Sequence, residues 1–443
     1  MRNYPKIRWF MIIMCFIAMA INYIDRVNLS VATPHIKHDL GLDDVSMGFI
    51  MGAFFWTYAL MQIPAGRLLD KFGERLGLTI AVAWWSVFTV LTACGRGLVS
   101  MMGLRMLLGI GEAGGHPGCA KVVYSWFPKK DRATASGIFN AGPRAGSALA
   151  LPLVAWIIST WNWEMSFIVT GVLGIVWAIA WYIIYRTPEL KEGLNAVERD
   201  NLIADRGPAK AKSSGKKEWL FLFRYRTMWG MMLSFFCLNI ALSFFLTWFP
   251  SYLMASQGFS LKQLGTLGMI PPLVGIPASM LGGYLSDWLF RKGFSLTFAR
   301  KSCLVLGLLL SSVISLATYT DSIPLIITLL SISYASIAFS AAVVWSLPAD
   351  VAPGSEYVGT IGGIQNFAGN LAGIISSSFT GIMLSMNNGS YEVPLVATGI
   401  ICLIGALSYI FIVGKIEPLG LVASDADENA SQRPSHGATK HAN

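Results

Sequence analysis

Five ionisable side chains stand inside stretches otherwise apolar enough to cross a membrane. They are Asp25 and Arg26 in INYIDRVNLS, Arg105 and Glu112 in RMLLGIGE, and Arg144 in AGPRAGS. An ionisable group in mid-membrane costs at least about 2.5–3.5 kcal/mol on insertion scales, so each is a candidate for a substrate or proton pathway. Adjacent residues on a helix point about 100° apart, so Asp25 and Arg26 address different neighbours. Arg105 and Glu112 lie seven positions apart, which is two turns along one face and about 10 Å in height. That stripe offers a cation and an acid, and the spacing lets Asp25 pair with Arg105 and Glu112 with Arg26.

Three cations and two acids leave one positive charge, which calls for an anion. If either carboxylate takes up a proton, its Arg partner is released toward a substrate carboxylate, and proton and anion binding become coupled. Asp25, Glu112 and Arg105 are therefore read as the proton-coupling set. The competing reading is a salt-bridge network that only holds helices together.

Polar groups recur near the same depth at i,i+4 spacing: Tyr58 with Gln62, Asn140 with Arg144, and Asn366 with Asn370. A sugar acid presents several hydroxyls beside one or two carboxylates, and amides with a tyrosine are suitable partners for them. Tyr23, Trp345 and Ser346 are candidates to complete such a pocket, with helix packing as the alternative for any one of them. His116, one turn beyond Glu112 in GEAGGHPG, is read as a hydrogen-bonded histidine in a Gly/Pro-softened helix rather than a proton relay.

The elements that hold these residues follow from composition. Of 443 residues, 54% are hydrophobic and 13% charged, against about a quarter charged in soluble domains. Apolar runs of roughly 20 residues, long enough to cross a bilayer as helices, recur about twelve times. The alternating pattern of a membrane barrel is absent, so the spans are expected to be α-helices. No small-residue cleavage site follows the first run, which is read as a retained helix. The six cysteines fall within or beside apolar spans without CxxC spacing, and are expected to pack rather than to form disulfides or bind metal.

The net charge of +9 does not point to nucleic acid, because Lys and Arg concentrate in short loops between alternate spans. A basic passage from about Arg186 to Arg226 contains ten Lys/Arg residues and divides the spans six and six. With Lys129, Lys130, Arg291, Lys292, Arg300 and Lys301, it sets the cytoplasmic side; only Lys37, Arg96 and Lys262 fall in opposite loops. The expected organisation is a first half over 1–190, a cytoplasmic linker over 191–225, a second half over 226–417 and a disordered cytoplasmic tail over 418–443. Both termini are then cytoplasmic. An internal repeat supports two halves: GRLLD at 66–70 and GGYLSD at 282–287 have the same Gly-to-Asp spacing and run on into basic residues.

GRLLDKFGER (66–75) resembles the signature loop of the major facilitator superfamily, G-x-x-x-D-(R/K)-x-G-x-(R/K). The resemblance implies a conformational role for Gly66, Asp70, Gly73 and Arg75, and for Asp287 in the repeat. Further matches are NYIDR, RMLLGIGE, SWFP, FN, FLTWFPSYL and NFAG. Together they look like the anion:cation symporter branch, which includes bacterial galactonate, glucarate and hexuronate carriers and animal sialin-like proteins. The likeness covers essentially residues 5–415.

It implies an all-α membrane protein of twelve transmembrane helices in two pseudo-symmetric six-helix halves, in a bacterial inner membrane. Its implied activity is proton-coupled uptake of a hexonate, hexuronate or hexarate by alternating access. Within it, Asp25 and Glu112 are the proton-linked acids and Arg26 contacts the substrate. Partners are a small organic anion, protons and the lipid bilayer, with a monomer as the plausible form.

Two alternatives compete. AGPRAGS (141–147) resembles the G-P-x-x-G element of proton-coupled drug antiporters, although Arg144 would repel a cationic drug, and small residues there also permit close helix packing. An integral membrane enzyme is the other, but Walker A, GxSxG, HExxH and metal-ligand spacings are all absent, and no cofactor or metal is called for. Arg144 is a local departure from the family pattern. Arg144 either meets the far carboxylate of a diacid such as glucarate or balances Glu112 while a monoacid binds at Arg26. An Arg beside a buried acid is more often its partner than a free ligand site, which favours a monocarboxylate and leaves the diacid open.

Overall fold

A computed structural model describes residues 4–127, 131–190, 218–353 and 357–420. Residues 191–217 of the expected linker, 421–443 of the tail, and Lys129 and Lys130 lie outside the described residues, as does the Asp70 side chain. Every regular element among the described residues is helical.

The first six spans are α1 (Tyr4–Leu40), α2 (Asp44–Gln62), α3 (Lys71–Thr92), α4, α5 (Arg132–Thr160) and α6 (Trp163–Ile184). Here α4 has two pieces, Leu98–Glu112 and Gly115–Trp126. The last six are α7 (Arg226–Thr247), α8 (Leu261–Arg291), α9 (Leu296–Tyr319), α10 (Ile323–Val351), α11 (Val358–Met386) and α12 (Glu392–Ile412). Eleven are long and apolar enough to cross a membrane, and the two pieces of α4 together supply a twelfth. A short 3-10 helix, Glu218–Arg224, precedes α7 and belongs to the stretch expected as linker. It is packed rather than free, with Leu222 fully buried and the Phe221 ring 5.5 Å from that of Tyr357.

Helix starts follow local chemistry. Asp43 accepts from the Ser46 amide at 2.8 Å and caps α2; these hydrogen bonds from Ser46 hold the Asp43 carboxyl below its ordinary value. Asn162 caps α6, and Ser260 opens α8 with a capping box to Gln263. The signature segment, expected as a loop, is instead helical on both sides of Gly73 and leaves helical geometry only there, at φ 73° and ψ 173°. Glycine alone takes that conformation without a Cβ clash, so one residue turns α2 into α3.

Small residues set the helix contacts. A Cβ on Gly142 of α5 would lie 2.5 Å from the Phe16 carbonyl oxygen of α1, and one on Gly109 of α4 would lie 2.5 Å from that of Phe54 on α2. The small residues of AGPRAGS thus let α5 press against the α1 backbone, the packing role weighed for them. Five cysteines are buried, Cys94 is exposed and all are free thiols.

The first six helices meet the last six through α2 with α11, α5 with α8, and α1 with α7, with close backbone approaches toward the α1–α2 turn. A Cβ on Gly48 would lie 2.8 Å from the Ser377 carbonyl oxygen, and one on Gly265 would lie 3.1 Å from Pro152. The Ser30 hydroxyl donates to the Thr247 carbonyl, and Ser251 donates to the Ser30 carbonyl at 3.3 Å. Among the described residues no hydrogen bond or ion pair joins the two sets at the other end. The polar contacts between the two sets therefore close the bundle at the α1–α2 turn.

Candidate functional site

The centre of the site is an ion pair. Arg26 Nε lies 2.6 Å from Glu112 Oε2, joining α1 to the end of the first piece of α4. The carboxyl of Glu112 is fully buried and the Arg26 side chain is 9% exposed. Three aromatic rings enclose the guanidinium: its carbon lies 4.8 Å from the Tyr23 ring centre, 4.6 Å from Phe54 and 4.7 Å from Tyr58. These rings attract the cation and hold its plane. Glu112 Oε1 and Arg26 Nη2 remain without a hydrogen-bond partner. The interruption at Ala113–Gly114 follows Glu112 directly.

Asp25 faces elsewhere, as the 100° step requires. It is completely buried against Thr89 of α3 and Thr170 of α6, with Glu112 and Arg105 within electrostatic range. Thr89 spends its hydroxyl proton on the Trp85 carbonyl, and both carboxyl oxygens of Asp25 lack a geometrically sound hydrogen bond. The pairing of Asp25 with Arg105 that spacing allowed is not made. Arg105, 4% exposed, lies 5.5 Å from the Phe54 ring centre with Nε and Nη1 unpartnered. Axial spacing sets height on a helix but not which neighbour a side chain meets, and the rotation of α1 turns Asp25 toward α6.

Arg144 also departs from expectation. It does not pair with Glu112, whose partner is Arg26, and no acid lies within ion-pair distance of it among the described residues. Its Nη1 donates to the Asn140 carbonyl at 3.4 Å, and it lies within electrostatic range of Tyr23 on α1 and Tyr334 on α10. Asn140 is exposed and turns its amide to the Ser136 carbonyl at 2.8 Å. Gln62 is half-buried, one turn beyond Tyr58.

On the second set, Asn366 is half-buried and its carbonyl accepts from Asn370 at 2.9 Å. Trp345 is exposed with its ring 5.6 Å from Phe235, and the Ser346 hydroxyl donates to the Val343 carbonyl. Among the described residues no hydrogen bond, ion pair or ring contact joins Trp345, Ser346 or Asn366 to the Arg26 cluster. The structure thus gathers Tyr23, Arg26, Tyr58, Arg105 and Glu112, brings Arg144 near them, and leaves those three on the facing wall. His116 lies beside Phe139, ring centres 6.4 Å apart, within electrostatic range of Arg26.

Three residues escaped the sequence reading. Asn22 is completely buried beside Glu112, one turn from Arg26, with its amide unpartnered by strict geometry. Phe54 touches both Arg26 and Arg105, and Tyr334 faces Arg144. Asn22 had a signal in its i,i+4 spacing to Arg26; the aromatic residues had none.

The signature residues lie toward the end where α1 begins. Gly66 has open space around its Cα. Arg75 donates to the Tyr182 carbonyl at 2.9 Å and stacks 4.2 Å from that ring, tying α3 to α6. In the repeat, Arg300 of α9 bridges Asp287 of α8 at 2.8 Å and Asp350 of α10 at 2.9 Å. Such charged bridges hold helix ends in register.

Comparison with known proteins gives the lineage. The description of the Major Facilitator Superfamily matches residues 15–377. The D-galactonate transporter of Escherichia coli O6:H1 is 38% identical over 422 residues, covering 93% of this chain and 97% of that protein. A protein of Bacillus subtilis strain 168 named probable galactarate/D-glucarate transporter GudP is 34% identical over 440 residues, 96% of each chain. The solved structure of a bacterial homologue of the human lysosomal transporter Spinster, inward-facing and unoccupied, superposes with a TM-score of 0.75 at 20% identity, over 93% of this chain and 98% of that one.

Proposed function

The chain belongs to the Major Facilitator Superfamily, and on that premise we propose that it takes up a sugar acid by proton symport. It is a multi-pass membrane transporter and not an enzyme, as its family and relatives are. The substrate class rests on the relatives named for galactonate and for galactarate and glucarate. The residues support it independently, because Arg26, Arg105 and Arg144 lie in one region of the first six helices with only Asp25 and Glu112 to balance them.

The observation that carries the mechanism is the single-point pair of Arg26 and Glu112. Glu112 engages the guanidinium through Nε alone and Nη2 has no partner, so a substrate carboxylate can approach there while the aromatic cage fixes the plane. A proton on Glu112 weakens the pair and turns Arg26 to the anion; its loss draws Arg26 back and expels the anion. Asp25 has no cation against it, and protonation is its remaining route to neutrality in a buried site. Arg105 lies within electrostatic range of both acids and completes the proton-coupling set.

Tyr23, Tyr58, Gln62, Asn140 and Arg144 on one side, and Trp345, Ser346 and Asn366 on the other, bind the hydroxyls and any second carboxylate. An unpaired Arg144 favours room for that second carboxylate, so hexarates stand beside hexonates and hexuronates as substrates. Residues 1–190 and 226–417 act as the two rocking halves, joined by the 191–225 linker. Gly66, Asp70, Gly73, Arg75 and Asp287 control their approach at the end where α1 begins. The basic loops orient that end, the termini and the 418–443 tail to the cytoplasm of a bacterial inner membrane.

The drug-antiporter reading loses its motif to helix packing, since Gly142 abuts α1. The test is uptake of labelled galactonate, glucuronate, glucarate and galactarate into proteoliposomes with an imposed inward proton gradient. Accumulation that an ionophore abolishes is expected; accumulation indifferent to the gradient, or gradient-driven drug extrusion, overturns the proposal.

A further inference from the structure

A second constellation lies away from the cavity, on the outer surface between α9 and α12. A groove of about 560 Å³ runs along α9, within the ~300–1,000 Å³ range of small-ligand sites. Its inner part is lined by Val305, Leu309 and Ile410 and its end by Ser295, Lys301 and Ser302. Leu309 and Ile410 are 43% and 45% exposed, so the apolar part faces hydrocarbon rather than the protein core.

Lys301 lines the polar end, and two further cations, Arg226 and Lys415, stand beyond the lining. Lys301 Nζ donates to the Val413 carbonyl at 2.5 Å. The Arg226 guanidinium lies against Gly414, where a Cβ would be 3.6 Å from its Nε, and exposed Lys415 follows in the chain. Lys301 and Arg226 are close enough to repel each other. Among the described residues none of the three has a carboxylate within ion-pair distance. Like charges held together near the edge of the bilayer, without an acid, call for an anion.

We propose that this groove binds an anionic diacyl glycerophospholipid, its phosphate at Lys301 and Arg226 and one acyl chain along Val305 and Leu309 against Ile410. The order along α9, cations first and apolar residues deeper, is the order of such a lipid in its leaflet. A free anion has no use for the apolar part, and a zwitterionic lipid leaves the cations undercompensated. The site adjoins Arg300, which joins α8, α9 and α10, so an occupied groove braces three helix ends.

The test is native mass spectrometry of the full-length protein with phosphatidylglycerol and phosphatidylcholine of identical acyl chains. Phosphatidylglycerol should bind more tightly, and Lys301→Gln and Arg226→Gln should each weaken it about fivefold, the worth of one basic residue near an anionic membrane surface. Leu309→Trp, which fills the groove and keeps both charges, should weaken it as well. Millimolar inorganic phosphate should leave the lipid bound. Equal binding of the two lipids, parent-like binding in both charge variants, or displacement by phosphate alone overturns the proposal. If a charge variant does not fold, Leu309→Trp and the headgroup comparison decide.

Discussion

Arg26 and Glu112 meet through one nitrogen and one oxygen, 2.6 Å apart, leaving Arg26 Nη2 and Glu112 Oε1 without partners. A bidentate pair would engage two guanidinium nitrogens; this one engages a single nitrogen and leaves Nη2 idle in a buried, aromatic-walled site.

Glu112→Gln keeps an oxygen for Arg26 but removes the charge and the titration. Gradient-driven accumulation should fall at least tenfold while counterflow exchange of preloaded substrate persists. Asp25→Asn should uncouple similarly. Parallel accumulation and exchange assays in proteoliposomes check both, and parent-like accumulation in both variants would remove the acids from the proton path.

Arg26→Lys retains the charge and loses the planar fork held by Tyr23, Phe54 and Tyr58. Hydrogen bonds to charged groups contribute about 1.5–3 kcal/mol, so affinity should drop roughly 10- to 100-fold. Calorimetric titration with the transported acid measures it, and unchanged affinity would place the carboxylate elsewhere.

Arg144→Gln distinguishes one carboxylate from two. With no acid paired to Arg144, its loss should weaken galactarate or glucarate at least tenfold and leave galactonate near parental values. Equal losses for both classes would instead mark Arg144 as a structural residue.

Gly48→Val tests the closed end. Its Cβ would lie 2.8 Å from the Ser377 carbonyl oxygen, a contact that forces α2 from α11. The variant should shift toward a state open at that end. The check is spin-label distances across the α2–α11 contact, which should lengthen; an unaltered distribution would show that the contact is not limiting.

Much of this was legible in the sequence because charge is expensive in hydrocarbon. Asp25, Arg26, Arg105, Glu112 and Arg144 stood out for that reason alone, and the Arg26–Glu112 pair is one of the two pairings that spacing allowed. The Asp25–Arg105 pair did not form, since helix rotation is set by packing across α6 rather than by spacing along α1. Phe54 and Tyr334 were illegible for a related reason: a neutral ring costs nothing to bury, so only the fold reveals which ones face a cation. The softened α4 was visible as Gly114, Gly115 and Pro117, although its exact break beside Glu112 was not.

The closed end is sealed by glycine against backbone and by serine hydroxyls, and no described ion pair crosses it. A neutral seal carries no gating charge. Membrane voltage therefore does almost no work on it directly, and raised ionic strength does not loosen it. Whatever energy the proton gradient supplies must enter through the charged cavity and reach the seal mechanically, along α1, α2 and α5, which run from one to the other.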